Sequence, residues 1–261
     1  MAFYIGSTKV GARFIDAKRY KSTLYIGTTK ICPVLIDGEK HKITLVSSVS
    51  GLEITYTANE KTSTALEETS GHYVMYVYGE DEIVNYFVNG NGTYDDINGT
   101  VISTNEDMTI PIKLISWGSW SRPNLTANGI IGSSDFAVTA SVNDTDAYKA
   151  VDDSNTTTWY VAKSSGMASY IFYNPSELKL SRLTLRKRTM YAYPTFSLYG
   201  SNDNINWTQF VGLIKSTYND ATTVNLSSNL LSYKYHKLDF NISNAVDVLN
   251  LDITAKQKIE T

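Results

Sequence analysis

Between Asp144 and Thr157 the chain places Asp144, Asp146, Asp152, Asp153, Asn155, Thr156 and Thr157. Carboxylates, amides and hydroxyls at this density are hard oxygen donors, of the kind from which calcium draws its roughly six to eight ligands. The same residues also suit an Asx-rich turn whose side chains bond their own backbone. On either reading the chemistry is that of ordering a loop, not of catalysis. A second candidate set is Arg188-Thr-Met-Tyr-Ala-Tyr-Pro194, which joins two strand-like segments. Tyr191 and Tyr193 offer rings that stack on the C–H face of a pyranose, and Arg188 offers a forked pair of donors for its hydroxyls. The two tyrosines equally suit anchoring of the loop itself.

No catalytic set accompanies them. Adjacent carboxylates occur at Glu67-Glu68, Asp95-Asp96 and Asp152-Asp153, but neighbours on a strand point to opposite faces. Glycoside chemistry needs two carboxyl groups facing one substrate. The chain has no Gly-x-Ser-x-Gly elbow, phosphate loop or His-Glu-x-x-His, so the expected function is binding and the chain is not expected to be an enzyme. A single cysteine, Cys32, rules out an intrachain disulfide. Between Ile31 and Pro33 it reads as a small buried hydrophobe. The three histidines, His41, His72 and His236, are too dispersed for a zinc cluster.

The elements that must position these residues are strands. Of 261 residues 42% are hydrophobic, enough for packed cores, and nineteen tyrosines against eight phenylalanines suit half-exposed sheet faces. Long amphipathic helical stretches are absent, so the expected fold is all-β in three parts. Over 1–33, Tyr4-Ile-Gly-Ser-Thr-Lys-Val10 returns as Tyr25-Ile-Gly-Thr-Thr-Lys-Ile31, which predicts two small hairpins. Hairpins of this size bury little and need a partner. They read as a subdomain packed on the rest of the chain, or as a segment that attaches to another subunit.

Over 34–116, strands are predicted at Lys42–Val46, Leu52–Thr57, His72–Tyr78, Ile83–Val88 and Met108–Ile115. The proline marks the last as an edge strand or a strand start. Asn89–Gly92 and Asp96–Gly99 supply turns, and the whole reads as a small antiparallel sandwich. Trp117-Gly-Ser-Trp-Ser-Arg-Pro123 interrupts the pattern and marks a domain boundary. Trp117 and Trp120 either pack there or serve as sugar platforms. Over 117–261, strands are predicted at Ala137–Thr139, Ser169–Tyr173, Leu183–Arg188, Phe196–Tyr199, Trp207–Val211, Thr223–Leu226, Tyr235–Asn241 and Val248–Ile253. Eight strands with polar loops suit a jelly roll. Trp159 and Trp207, at strand starts, are expected in the core. In the basic run from Arg182 to Arg188 leucines alternate with polar residues, so its first half is expected to be a strand with one solvated face.

Two stretches of this last part resemble the discoidin-like family of β-sandwich modules. One is Phe196–Phe210, with its Ser201-Asn202-Asp203-Asn204 turn followed by Trp207. The other is the loop Ala150-Val-Asp-Asp-Ser-Asn-Thr-Thr-Thr-Trp159. Tyr233–Phe240 resembles that family's late strand and Leu249–Ile253 its closing strand. The family contains many carbohydrate-binding modules. The resemblance implies one structural calcium held by an Asp152 carboxylate, the Thr157 hydroxyl and carbonyl, backbone oxygens of Lys149 and Asn155, and a ligand from the closing strand at Asn250. The chain departs from the pattern twice: the family's Asp-Gly is Asp152-Asp153, and its closing-strand glutamate is Asn250. The N-terminal repeat resembles segments of phage and prophage structural proteins, and the middle part looks like surface-layer and carboxypeptidase-regulatory-like spacer sandwiches.

Together these readings predict a bacteriophage virion protein: a fibre, spike or decoration subunit, on head or tail. Its N-terminus would dock on other virion proteins, and its C-terminal module would bind host surface glycan as a homo-oligomer. The alternatives are a capsid or tail cement protein without glycan binding, or a bacterial carbohydrate-binding surface protein. A net charge of -3 gives no reason to expect nucleic acid. No apolar run approaches the ~20 residues of a membrane span, and the opening residues do not read as a secretory signal.

Overall fold

The structure is a computed structural model that describes residues 3–5, 8–10, 23–26, 29–33, 40–162, 166–187, 194–216, 221–228, 230–242 and 245–261. It is built almost wholly of strands, as the alternating segments require. The chain divides into two compact units, Met1–Ser116 with Glu260–Thr261, and Trp117–Ile259.

In the first unit each copy of the N-terminal repeat forms an antiparallel pair: β1 (Phe3–Ile5) with β2 (Thr8–Val10), and β3 (Thr23–Ile26) with β4 (Thr29–Pro33). Next come β5 (Lys40–Val46), β6 (Glu53–Ala58), β7 (Lys61–Thr64), β8 (Leu66–Thr69), β9 (His72–Tyr78), β10 (Ile83–Asn89), β11 (Ile97–Ile102) and β12 (Met108–Pro111). They make two four-stranded sheets, ordered β12-β5-β9-β8 and β11-β10-β6-β7. His41, Ile43 and Leu45 alternate inward along β5, and Ile54, Met75, Val77, Val84 and Val88 join the core. Pro111 lies on the edge strand β12, where its missing N–H disturbs no ladder. One expected turn is instead a strand: Asn98 and Gly99 belong to β11 and pair with Phe87 and Tyr86. Gly99 is needed there for space, since a Cβ would meet the Tyr86 ring at 2.0 Å.

The second unit contains β13 (Ile115–Ser121), β14 (Ala137–Ala140), a 3₁₀ segment Asp144–Ala150, β15 (Trp159–Val161), β16 (Met167–Lys187), β17 (Thr195–Ser201), β18 (Thr208–Lys215), β19 (Ala221–Asn225), β20 (Tyr233–Asn241) and β21 (Val246–Glu260). Trp117–Pro123, expected to interrupt the strand pattern at a domain boundary, is therefore largely strand β13. The expected strands at Ser169–Tyr173 and Leu183–Arg188 are two halves of β16. Its first half pairs with β14 and β20, its second with β19 and β21. The register shifts between Tyr173 and Leu178, where Asn174 folds its amide onto the Ser176 carbonyl at 2.8 Å. A strand that switches layers at such an irregularity makes the corner of a sandwich. Between the layers lie Trp159, Tyr170, Phe172, Leu183, Leu185, Phe196, Leu198, Leu238, Phe240 and Leu251, each at most 1% exposed.

The β17–β18 hairpin turn is tied by Asp203. Its Oδ1 accepts from the N–H groups of Ile205 and Asn206 at 2.9 and 2.8 Å and from the Ser201 hydroxyl at 2.9 Å. These donors hold the Asp203 carboxyl well below the usual range. Asn204 takes the left-handed conformation at φ 61, the role for which asparagine suits such a turn. Gly200 beside it admits the Tyr233 ring, which a Cβ would meet at 1.9 Å.

Candidate functional site

The oxygen-rich loop runs from the end of β14 to the start of β15. Asn143 enters it in the left-handed conformation, and Asp144 Oδ1 accepts from the Thr139 hydroxyl and the Ala140 N–H, both at 2.8 Å. Ala147, Ala150 and Val151 turn into the core. The buried Tyr170 hydroxyl donates to the Ala147 carbonyl at 3.0 Å, and Asn128 accepts from the Tyr148 N–H at 2.9 Å. Trp159 closes the loop. It is wholly buried, lies 5.0 Å from the Tyr170 ring, and donates from Nε1 to the Val142 carbonyl at 2.8 Å. Burial pushes the Tyr170 phenol well up, an effect that Arg122 opposes and Asp152 adds to.

At the tip, Asp152 accepts from the Ser154 N–H at 2.9 Å through Oδ1 and from the Thr157 hydroxyl through Oδ2. Ser154 Oγ in turn accepts from the N–H groups of Thr156 and Thr157. The residue after Asp152 occupies the left-handed region, with φ 56 at Asp153. Glycine adopts that conformation without cost, and Asp tolerates it better than most residues. Asp153 uses its extra side chain: Oδ1 lies 3.4 Å from Arg122 Nη2 and 3.3 Å from Asn250 Nδ2. Arg122, its side chain only 10% exposed, also donates through Nη1 to the Val151 carbonyl. Asn250 gives a second hydrogen to Asp252 Oδ1 at 3.1 Å, while its own Oδ1 is buried with no partner among the described residues. Asp252 is held from its other side by Arg186 at 2.8 Å.

Of the expected metal ligands, Asp152 and Thr157 are in direct contact, and Asn250 reaches the loop through Asp153. The Lys149 side chain pairs with Asp146 at 2.7 Å, and Asn155 is exposed. Both were expected to act through backbone oxygens alone. Among the described residues no group of three or more His, Cys, Asp or Glu side chains is arranged to hold a metal. The orphaned Asn250 oxygen and the paired Asp152 and Thr157 oxygens nevertheless fit a hard cation that also takes carbonyl ligands.

Arg188, Tyr191 and Tyr193 lie outside the described residues. The strands that bracket them are placed. Lys187 and Trp159 both pair with Val248, while Thr195 pairs with Asn241 and Lys215. Lys187, the last residue of β16, is thus level with Trp159, the residue that closes the Asp152 loop. An open pocket of about 460 Å³ adjoins that loop, lined by Asn124, Leu125, Thr126, Tyr148 and Asp152. Apart from Asp152, its residues carry no local signal that sequence reading could have used.

The other aromatic candidates separate. Trp120 packs, its ring 5.7 Å from Phe136 and its Nε1 donating to Asn174 Oδ1 at 3.2 Å. Trp117 lies under the Lys179 ammonium at 3.8 Å, and His72 is exposed in the first unit. Trp207 is not in the core as expected. It precedes β18 half-buried, with Lys237 Nζ 4.8 Å from both its ring and that of Tyr199. Trp207 stands just before β18, whose Phe210, Val211 and Ile214 do pack on the core, and its own ring instead lies beside a lysine. Phe172 and His236, by contrast, stack face to face in the interior at 4.9 Å.

No family model matches the chain, and no curated protein matches it. Solved structures do. An F5/8 type C domain from Bacteroides fragilis is 14% identical over 54% of this chain and 97% of its own, with a TM-score of 0.41. A family 32 carbohydrate-binding module from Clostridium perfringens NanJ, solved with galactose, is 15% identical over 48% and 93%, with a TM-score of 0.38. A chitosan-binding module from a Paenibacillus chitosanase/glucanase is 20% identical over 50% and 98%, with a TM-score of 0.38.

Proposed function

We propose that the Trp117–Ile259 unit is a glycan-binding module and that the chain as a whole is a virion structural protein, a fibre, spike or decoration subunit. The observation that carries the binding reading is the open pocket beside the Asp152 loop, lined by Asn124, Leu125, Thr126, Tyr148 and Asp152. Aromatic rings, a guanidinium and a pocket lined by amide, hydroxyl and carboxylate groups are what a pyranose needs. The carboxylate pairs serve structure. Glu67 holds the Gly51 and Gly71 N–H groups, Glu68 holds Lys42, and Asp153 holds Arg122 and Asn250. That supports binding without catalysis.

One structural calcium fits this reading. Asp152, Thr157 and the Asn250 oxygen would hold it, with the Lys149 and Asn155 carbonyls, and its role would be to stiffen the loop. The two N-terminal hairpins suit docking on another subunit, because each is too small to be stable alone. A single millimolar glycan site is worth only about 4 kcal/mol, and many copies on one particle raise it through effective concentration.

The test is a glycan array probed with the full chain and with R188A/Y191A/Y193A, alongside antibody labelling of particles in a producing lysate. Binding lost in the triple variant, with label at fibres or tail tips, is expected. Glycan binding untouched by the triple variant would remove the loop-end site. Label spread evenly over capsids, with no glycan bound, would favour a cement role.

A further inference from the structure

Arg182 and Arg186 of the basic run stand on a strand face that the loop-end reading does not invoke. Along the second half of β16, Leu178, Leu180, Leu183 and Leu185 turn into the core, as do Leu251, Ile253 and Ala255 of β21. Their neighbours therefore face outward in fixed cross-strand rows. Lys179 stands opposite Lys256, Arg182 opposite Thr254, Thr184 opposite Asp252, and Arg186 opposite Asn250. From the other side β19 sets Asn225 beside Arg182 and Thr223 beside Thr184.

From Lys179 to Arg186 this face carries four cations, Lys179, Arg182, Arg186 and Lys256, against one carboxylate, Asp252, and beyond Lys179 it continues as the Glu177–Lys258 ion pair, in a chain whose net charge is -3. Like charges set directly opposite each other destabilise a sheet, yet Lys179 faces Lys256 on interior strands. Asp252 engages Arg186. Arg182 and Lys256 are exposed, and among the described residues neither is in an ion pair; Arg182 only reaches the Thr254 hydroxyl at 3.5 Å. Between the cations lie uncharged donors and acceptors: Thr254, Thr223 and Asn225, with Thr184 and Thr223 bonded to each other at 3.0 Å. From the strand rise, Arg182 and Arg186 stand roughly 13 Å apart.

We propose that this outer face of the β21-β16-β19 layer binds an acidic polysaccharide. Its carboxylates would meet Arg182, Lys256 and Arg186, and its hydroxyls would meet the threonines and Asn225. The spacing favours such a ligand over nucleic acid, because the cations are separated by hydroxyl groups, whereas duplex DNA presents a charge about every 1.7 Å along its axis. The proposal rests on this strand face and not on the loop-end reading.

The experiment measures binding of the full chain to immobilised polygalacturonate, with uncharged dextran and duplex DNA as comparators. The variants are R182S/K256S and, separately, Y191A/Y193A. Each is first shown to melt at the wild-type temperature. Polygalacturonate should bind, lose affinity about tenfold in R182S/K256S, weaken with rising salt, and be unaffected in Y191A/Y193A. Dextran should not compete. Full affinity in R182S/K256S, absence of polygalacturonate binding, or equal affinity for DNA would each overturn the proposal. Loss in Y191A/Y193A alone would assign the acidic glycan to the loop end instead.

Discussion

Asn250 Nδ2 lies 3.3 Å from Asp153 Oδ1, joining the last strand of the sandwich to a loop 97 residues earlier. Because the amide nitrogen is committed to Asp153 and Asp252, the carbonyl oxygen is buried with no donor among the described residues. A buried acceptor left unmatched costs roughly 1–3 kcal/mol, and a hard cation would remove that cost.

Calcium should therefore stabilise the protein. At a concentration about 100-fold above its Kd the gain would be about 2.7 kcal/mol. Chemical denaturation in calcium and in EDTA measures it. Asp152→Ala and Asn250→Ala should each abolish the difference. Identical curves for the wild type with and without calcium would show that the loop holds itself.

Arg122 organises the same loop from the other side. Its guanidinium bonds the Val151 carbonyl and approaches Asp153, and it is nearly buried while the Asp153 carboxylate is not. Arg122→Met keeps much of the stem but leaves the Val151 carbonyl without that donor, at a cost of about 1–3 kcal/mol. Exposure of Asp153 keeps the ionic part small. Urea unfolding should show the loss, and calcium should not restore it.

His236 sets a pH dependence. Burial holds it down to about 3, so the folded protein keeps it neutral where the unfolded chain, near 6.5, already binds a proton. Between those values the unfolded state carries the extra proton, and stability falls as pH falls, by up to about 1.4 kcal/mol per pH unit. Above the unfolded value the contribution is constant. His236→Phe, stacked on Phe172 as the imidazole is, should flatten this part of the profile. Glu67 and Glu68, both held below the usual carboxylate range by their hydrogen bonds, remain in both proteins. The difference between the two curves therefore isolates the histidine.

Gly200 tests the close approach of the hairpin to β20. An alanine methyl would meet the Tyr233 ring at 1.9 Å, and relieving such a clash costs about 1–3 kcal/mol. Gly212, which has nothing within 4 Å of a Cβ, is the control. Melting of Gly200→Ala and Gly212→Ala side by side should separate overpacking from the general effect of replacing glycine in a strand.

Much of the architecture was legible in the residues themselves. Alternation is a local property, so β9 was predicted at His72–Tyr78, and the inward leucines and outward charges of Arg182–Arg186 followed from period two alone. The Asn-rich turn between β17 and β18 was legible for the same reason, since Asp203 bonds only to its near neighbours. The Asx turn at Asp152 is equally local.

Local pattern failed where a residue's role depended on what lay across from it. Asn98 and Gly99 read as a turn until Tyr86 needed room above the glycine. Trp207 read as core because it begins a strand, but it stops one residue short of β18 and meets Lys237 from β20 instead. Whether Lys179 faces Lys256, or Asn250 faces Asp153, depends on pairings between segments far apart in the chain, set by the register of β16 against β21. The sequence by itself determined which side of each strand is apolar and where the oxygen-rich loop falls, because both rest on neighbours a few residues away. Only the tertiary structure decided which charges meet and which oxygen is left unpaired. Those contacts exist only after long-range pairing has closed the sandwich, against a loop-closure cost that no local signal encodes.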